Sequence, residues 1–275
     1  MTLSDIRKAI AKAVQTARDA QPLTPSITNT VTINFVANAQ LAVGGSAAMV
    51  YMPDEGEALA KACGAMYLNV GTIFPIYEKT LPLAAKTLHE EKKPWVLDPV
   101  AIGLGQMRTE LLQQFKADKP TIIRGNASEI IALAGLWGLQ GGSAGSDVRG
   151  VDSTDSVRSA KAAAMALAQY TGGAVAVSGT SDLITDGTQV LISEGGSAMM
   201  PCITGTGCSL GGVMAVYAAV TTPFVAALTG AAIYNWAGRT AAATAKGTGS
   251  FQAAFLDALY TAKPEDVANN PLVEG

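Results

Sequence analysis

The sequence predicts a layered α/β fold with a mostly parallel central sheet. Three observations carry that expectation. Short apolar runs of strand length recur along the chain, as at Met66–Val70, Trp95–Leu97, Thr121–Ile123 and Ala174–Val177. Segments of helical period separate them, and turn signals such as Gly71-Thr72, Asp98-Pro99 and Ser178-Gly179 close the runs on their carboxyl side. Strand and helix in alternation, with few long interruptions, is the pattern of a parallel sheet covered by helices.

Taken in order, Asp5, Arg7, Lys8 and Lys12 lie in an Ala/Val/Ile pattern that reads as an amphipathic first helix. Pro22 and Pro25 end that pattern, and Ser26-Ile27-Thr28-Asn29 opens a segment of small polar groups. Val31 to Leu41 has helical spacing and stops at Gly44-Gly45. Ala47 to Tyr51 is a short strand, and Asp54, Glu55 and Glu57 mark the start of the next helix at its positive dipole end. Helices are expected at Ile76–Glu91, Arg108–Phe115, Ser128–Ala134 and Thr154–Tyr170, with a flexible loop over 141–150. Thr188 to Ile192, preceded by Asp186-Gly187, reads as half of a hairpin at a sheet edge. Leu210 to Ala237 is apolar enough to suggest a membrane span, but Pro223 after two threonines divides it into two buried helices, each too short to cross.

Composition narrows the function classes. The 275 residues suffice for one domain, residues 1–275, with a substantial core. Only 15% of residues are charged against 49% hydrophobic, low for a monomer with a fully wetted surface, so an oligomer is expected. A net charge of -3 without a basic run argues against nucleic acid and anionic membrane as partners. Cys63, Cys202 and Cys208 are odd in number and unpaired in spacing, which indicates neither a disulfide framework nor a zinc site. No signal peptide is expected at the amino terminus, and the cytoplasm fits best.

The stretch Ile203-Thr204-Gly205-Thr206-Gly207-Cys208-Ser209-Leu210-Gly211-Gly212 organises the rest. A glycine-rich turn leading into an apolar helix offers unpaired N–H groups and a positive dipole end, the makings of an anion cradle around Thr206 and Gly207. Cys208 falls in the first turn, where that field is expected to depress the thiol pKa and make it a base or nucleophile. The same string also suits a packing turn with Cys208 as a small hydrophobe. Ligands in open α/β sheets sit beyond the carboxyl ends of strands. That rule singles out Asp98, a carboxylate suited to magnesium beside phosphates or else a turn aspartate. It also selects Ser178 and the run Arg124-Gly125-Asn126-Ala127-Ser128-Glu129. Arg124 can fork onto a phosphate and Glu129 can orient a metal-bound water, or the run is a helix capping box. His89 is the one histidine and lies in a charged helix end, which excludes a histidine triad. Trp95, Trp137 and Trp236 read as core or interface anchors. No GxxxxGK[ST] string occurs, so a nucleotide would not be held by a P-loop.

In order, Thr28-Asn29, Asn34-Phe35, Ala37-Asn38, Asn69-Val70-Gly71-Thr72, Leu97-Asp98-Pro99-Val100, the run from Ile123 to Glu129, Gly150-Val151-Asp152-Ser153, Thr185-Asp186-Gly187 and Gly205-Thr206-Gly207-Cys208 resemble the hydroxyethylthiazole kinase family. The resemblance runs from about Thr28 to Tyr260. It implies a ribokinase-like three-layer α/β/α fold and ATP-dependent phosphorylation of the alcohol of 4-methyl-5-(2-hydroxyethyl)thiazole. It further implies magnesium and a homotrimer with pockets between subunits. Carried over, Met49 and Gly205 hold the thiazole, Arg124 and Ser178 contact ATP, and Asp98 and Glu129 organise the metal. Cys208 stands where most ribokinase-like enzymes carry an aspartate base. The chain departs from the family pattern at Pro25-Ser26, expected at the pocket rim, and at Thr180, where a glutamate is usual. Two rival readings are a ribokinase-like dehydratase of hydrated nicotinamide nucleotides, which expects aspartate at position 208, and a catalytically silent ligand binder.

Overall fold

The computed structural model describes residues 1–143 and 156–275. Helix α1 (Leu3–Ala20) leads into β1 (Leu23–Ile27), α2 (Ile33–Ala42), β2 (Ser46–Met49) and α3 (Pro53–Ala62). There follow β3 (Met66–Asn69), α4 (Tyr77–Glu90), β4 (Trp95–Asp98), α5 (Gln106–Asp118), β5 (Ile122–Asn126), α6 (Ala127–Leu136) and α7 (Lys161–Thr171). Then come β6 (Ala174–Ser178), β7 (Asp182–Thr185) and β8 (Val190–Ser193), and the chain closes with α8 (Thr206–Ala218), α9 (Pro223–Ala242), α10 (Thr248–Thr261), α11 (Pro264–Ala268) and β9 (Leu272–Glu274).

The strands form one sheet in the order β2-β1-β3-β4-β5-β6-β7-β8-β9. Pairing is parallel from β2 to β6 and antiparallel from β6 to β9. Alternate residues of the central strands point to opposite faces, and both faces are apolar because helices cover both. Tyr67, Val96, Ile122 and Ala176 enter the core under α1, α2, α8, α9 and α10. Met66, Leu68, Leu97, Ile123 and Val177 enter the core under the helices from α3 to α7. The layered α/β expectation is met in this three-layer arrangement. No helix among the described residues is long and apolar enough to cross a membrane, and Pro223 at the first turn of α9 separates it from α8 as the sequence predicts.

Some expectations are corrected. Leu23–Ile27 is a strand and not only a polar opening, because pairing with β3 begins at Ser26, beyond Pro25, so the missing proline N–H removes no bond on that side. Pro25 and Ser26 are buried in β1, and Ser26 donates its hydroxyl to Gln40 Oε1 at 3.1 Å. The strand near Thr188–Ile192 is not at the edge, since β9 pairs along its outer side. The helix expected from Thr154 begins at Lys161, while Gly150-Val151-Asp152-Ser153 lies outside the described residues.

Candidate active site

Gly205 occupies φ +91° at the amino end of α8, a left-handed conformation that glycine adopts without a Cβ clash. The helix begins at Thr206, and its first internal bond runs from Ser209 N–H to Gly205 O. Thr206, Gly207 and Cys208 therefore present N–H groups that the helix itself does not satisfy. Thr206 anchors this turn by donating its hydroxyl to Met200 O at 2.8 Å.

Four parallel strands deliver their carboxyl ends to the same end of the sheet as this turn. Asp98 ends β4 and is fully buried. Its Oδ2 accepts from Tyr67 Oη at 2.8 Å and from Arg124 Nη1 at 3.2 Å, while its buried Oδ1 has no partner. Arg124, on β5, also donates from Nε to Ser178 Oγ at 3.2 Å, at the end of β6. The guanidinium packs on Gly207, where a Cβ would lie 2.7 Å from Nη2. Burial opposes the arginine charge, but Asp98 and Glu129 hold it protonated, above its ordinary range. Burial pushes the Asp98 carboxyl up against the pull of Arg124 and Tyr67.

Glu129 forms the capping box that its sequence allows. With Asn126 it forms a capping box at the start of α6: Asn126 Oδ1 accepts from Glu129 N–H at 2.9 Å and Glu129 Oε2 from Asn126 N–H at 2.8 Å. Oε1 accepts from Ala101 N–H at 3.2 Å, across to the loop after β4. Ala101 is held at φ +58°, an uncommon conformation for a residue with a Cβ. Burial, then the Asp98 charge, raises the Glu129 pKa to about 7.

Cys208 is half-buried and faces two amides, Asn29 Nδ2 at 3.3 Å and Asn69 Nδ2 at 3.4 Å from its sulfur. The expected depression of its pKa is not found. Burial, then the charge of Asp98, raises it to about 11, outweighing Arg124 and the amide donors. A helix end lowers a thiol pKa only as far as it outweighs desolvation, and here it does not.

Met49 closes the edge strand β2, beside Ser26 of β1, at the same end of the sheet. The structure brings Asp98, Arg124, Ser178, Gly207 and Glu129 into one connected cluster, with Cys208 on its margin beside Asn69. His89 is exposed, as expected, and bonds Asp118 O at the far end of α4. Sequence reasoning assigned no role to Asn29, Asn69 or Tyr67. The signal was present, because the rule that selects Asp98, a polar residue closing an apolar strand, applies equally to Asn69 at the end of β3.

Asp182 was also missed. It opens β7, accepting Gly179 N–H at 3.2 Å and Asn235 Nδ2 at 3.0 Å, and so fixes the turn after Ser178. Burial raises its pKa from the ordinary carboxylate value of 3.8 to about 6. Between those values the folded state keeps a proton that the unfolded chain has released, so this group makes stability fall as pH rises. The expected loss between about pH 4 and 6 is on the order of 3 kcal/mol at 1.36 kcal/mol per unit. Urea unfolding across that range should show it in the wild type and not in Asp182→Asn; parallel pH profiles for the two proteins would disprove it.

The fold defines the class first. A ribokinase-like superfamily protein from Enterococcus faecalis superposes with a TM-score of 0.61 at 12% identity, covering 90% of this chain and 89% of its own, so the fold is ribokinase-like. A hydroxyethylthiazole kinase from Pyrococcus horikoshii superposes with a TM-score of 0.86 at 29% identity, over 98% of this chain and 99% of its own. The family model for the hydroxyethylthiazole kinase family matches residues 14–265, and the chain belongs to that family. A hydroxyethylthiazole kinase of Bifidobacterium longum is 53% identical over 98% of this chain and 92% of its own. One from Roseobacter denitrificans is 46% identical over 91% and 95% respectively.

Proposed function

We propose that this protein, acting as one kinase domain, transfers the γ-phosphoryl group of ATP to the hydroxyl of 4-methyl-5-(2-hydroxyethyl)thiazole. The observation that carries this reading is the meeting of Arg124 from β5 with Gly207 and Cys208 in the first turn of α8, a cation against a set of backbone N–H donors and a thiol. Phosphoryl transfer asks mainly for placement and charge stabilisation, and this cluster supplies both. Arg124 and the N–H groups of Thr206 and Gly207 receive the γ-phosphoryl charge, and Ser178 flanks the nucleotide. Met49 and Gly205 hold the thiazole with its alcohol beside Cys208. The alcohol oxygen bonds to the γ-phosphorus, the bond to the bridging oxygen breaks, ADP leaves, and the alcohol proton passes to the Cys208 thiolate.

The donor set fits magnesium. Asp98 Oδ1 is a buried carboxylate oxygen without a partner, and Glu129 oxygens lie in the same cluster. Hard cations take such oxygens, usually with water and phosphate completing the shell. Asp98 and Glu129 would hold the ion, which when bound offsets the charge of the β- and γ-phosphates.

The reading also includes a homotrimer with sites between subunits. Val31, Tyr51, Met52, Phe74 and Leu104, on loops after β1 to β4, are exposed apolar side chains around the strand ends, as a subunit contact there would require. Purified protein with ATP, magnesium and the thiazole alcohol should release ADP in a thiazole-dependent manner and yield a product heavier by one phosphoryl group. It should also sediment as three chains. ADP release indifferent to the thiazole would sink the kinase reading, and a monomeric mass would sink the shared site.

A further inference from the structure

Asn29 and Asn69 have no part in the mechanism above, yet both amides end on the sulfur of Cys208. Their orientation is settled by their other bonds. Asn69 Oδ1 accepts Gly71 N–H at 2.9 Å and Asn29 Nδ2 at 3.2 Å, so its nitrogen must face the other way. That nitrogen spends one N–H on Tyr67 Oη at 2.8 Å and the other on the sulfur at 3.4 Å. Asn29 spends its pair on Asn69 Oδ1 and on the sulfur at 3.3 Å. Every amide N–H is committed. Tyr67 in turn donates to Asp98, and its ring packs so closely on α8 that a Cβ at Gly211 would lie 2.3 Å from it.

A neutral thiol has two lone pairs, and two amide N–H groups approach the sulfur. With the Thr32 hydroxyl also beside it, the side left to the S–H, or to a lone pair after ionisation, is bounded by all three residues. The charged and titratable groups that bear on the sulfur are Asp98 from β4, Arg124 from β5, Tyr67 from β3 and Tyr234 from α9. The asparagines are its neutral amide donors, and Thr32 contributes a hydroxyl. We propose that Asn29 and Asn69 are positioning residues: their two amide N–H groups hold the Cys208 sulfur and direct its free lone pair to the substrate hydroxyl. This rests on the kinase reading above for its substrate, while the hold on the sulfur stands on geometry.

The test measures kcat and KM for Asn29→Ala and Asn69→Ala, each in the wild type and in a Cys208→Ala background. It adds the pH dependence of iodoacetamide alkylation, mapped to the peptide carrying Cys208. In the wild-type background kcat should fall on the order of tenfold or more for each, as for loss of a hydrogen bond that holds a charged group in place, with KM for ATP unchanged. In the Cys208→Ala background neither change should lower kcat further, because both act through the sulfur. The alkylation midpoint should move to higher pH, since the thiolate has lost a donor. Equal losses in both backgrounds, or an unmoved midpoint, would overturn the proposal. Should Asn69→Ala fail to fold, Asn29→Ala carries the same test, because it leaves the Gly71 bond intact. A wild type without thiazole-dependent ADP release would refute the kinase reading alone, and the alkylation profile would still decide the role of the asparagines.

Discussion

Replacing Cys208 by alanine should lower thiazole-dependent turnover on the order of 10² to 10⁴, whereas Cys208→Asp should keep substantial turnover. The alanine removes the one proton acceptor in the first turn of α8. The aspartate supplies a carboxylate where Asn29 and Asn69 already aim N–H donors. The pH profile separates the two proteins further. With a thiol pKa near about 11, the thiolate is the minor form at neutral pH. Its fraction rises tenfold for each pH unit below that value, so kcat of the wild type should climb with unit slope from about pH 7 to 9 if the thiolate takes the proton. The aspartate variant is ionised over that range and should give a flat profile. Full activity in the alanine variant would remove Cys208 from the mechanism, and a flat wild-type profile would remove the thiolate.

Arg124→Ala should be the most damaging change to the site for stability, and it should cost rate as well. It strips the Asp98 carboxylate, fully buried, of its cation at 3.2 Å and leaves Ser178 without its guanidinium partner. Removing one member of a buried pair costs about 3–5 kcal/mol, most of it the penalty of the stranded charge. Turnover should also fall on the order of 10² to 10³, the usual worth of one donor aimed at transition-state charge. Arg124→Lys should recover part of the stability and less of the rate, since an ammonium cannot span Asp98 and Ser178 as the fork does. Urea unfolding with steady-state kinetics on the same preparations checks both. An unchanged urea midpoint for Arg124→Ala would show that the pair contributes nothing to folding.

Much of the architecture was legible because it is local. The apolar runs of β3 to β6 and the helices between them are written in residues close in sequence, and burial on both faces of a parallel sheet makes the strands read as near-continuous hydrophobic segments. The strands that escaped are those whose pattern is weak or whose partner is remote. Two prolines obscured β1, and β9 is a three-residue strand that is stable only because β8 lies beside it. The rule of polar groups at strand ends and helix starts holds for Asp98 and Ser178, which close β4 and β6, and for Cys208 in the first turn of α8, whereas Arg124, expected after its strand, lies within β5.

The sequence by itself determined the layered α/β class, the glycine turn at 205–207 and the set of groups available for chemistry, since each depends on neighbours within a few residues. Only the tertiary structure decided what state those groups hold. The helix start alone argues for a depressed Cys208 pKa, but burial and a carboxylate from β4 reverse the sign. Arg124 reads as an unpaired cation in the sequence, whereas Asp98 and Ser178 hold it in place against Gly207. Desolvation and charge–charge energies depend on distance through space, and residues 69, 98, 124 and 208 become neighbours only when the sheet brings its strand ends together.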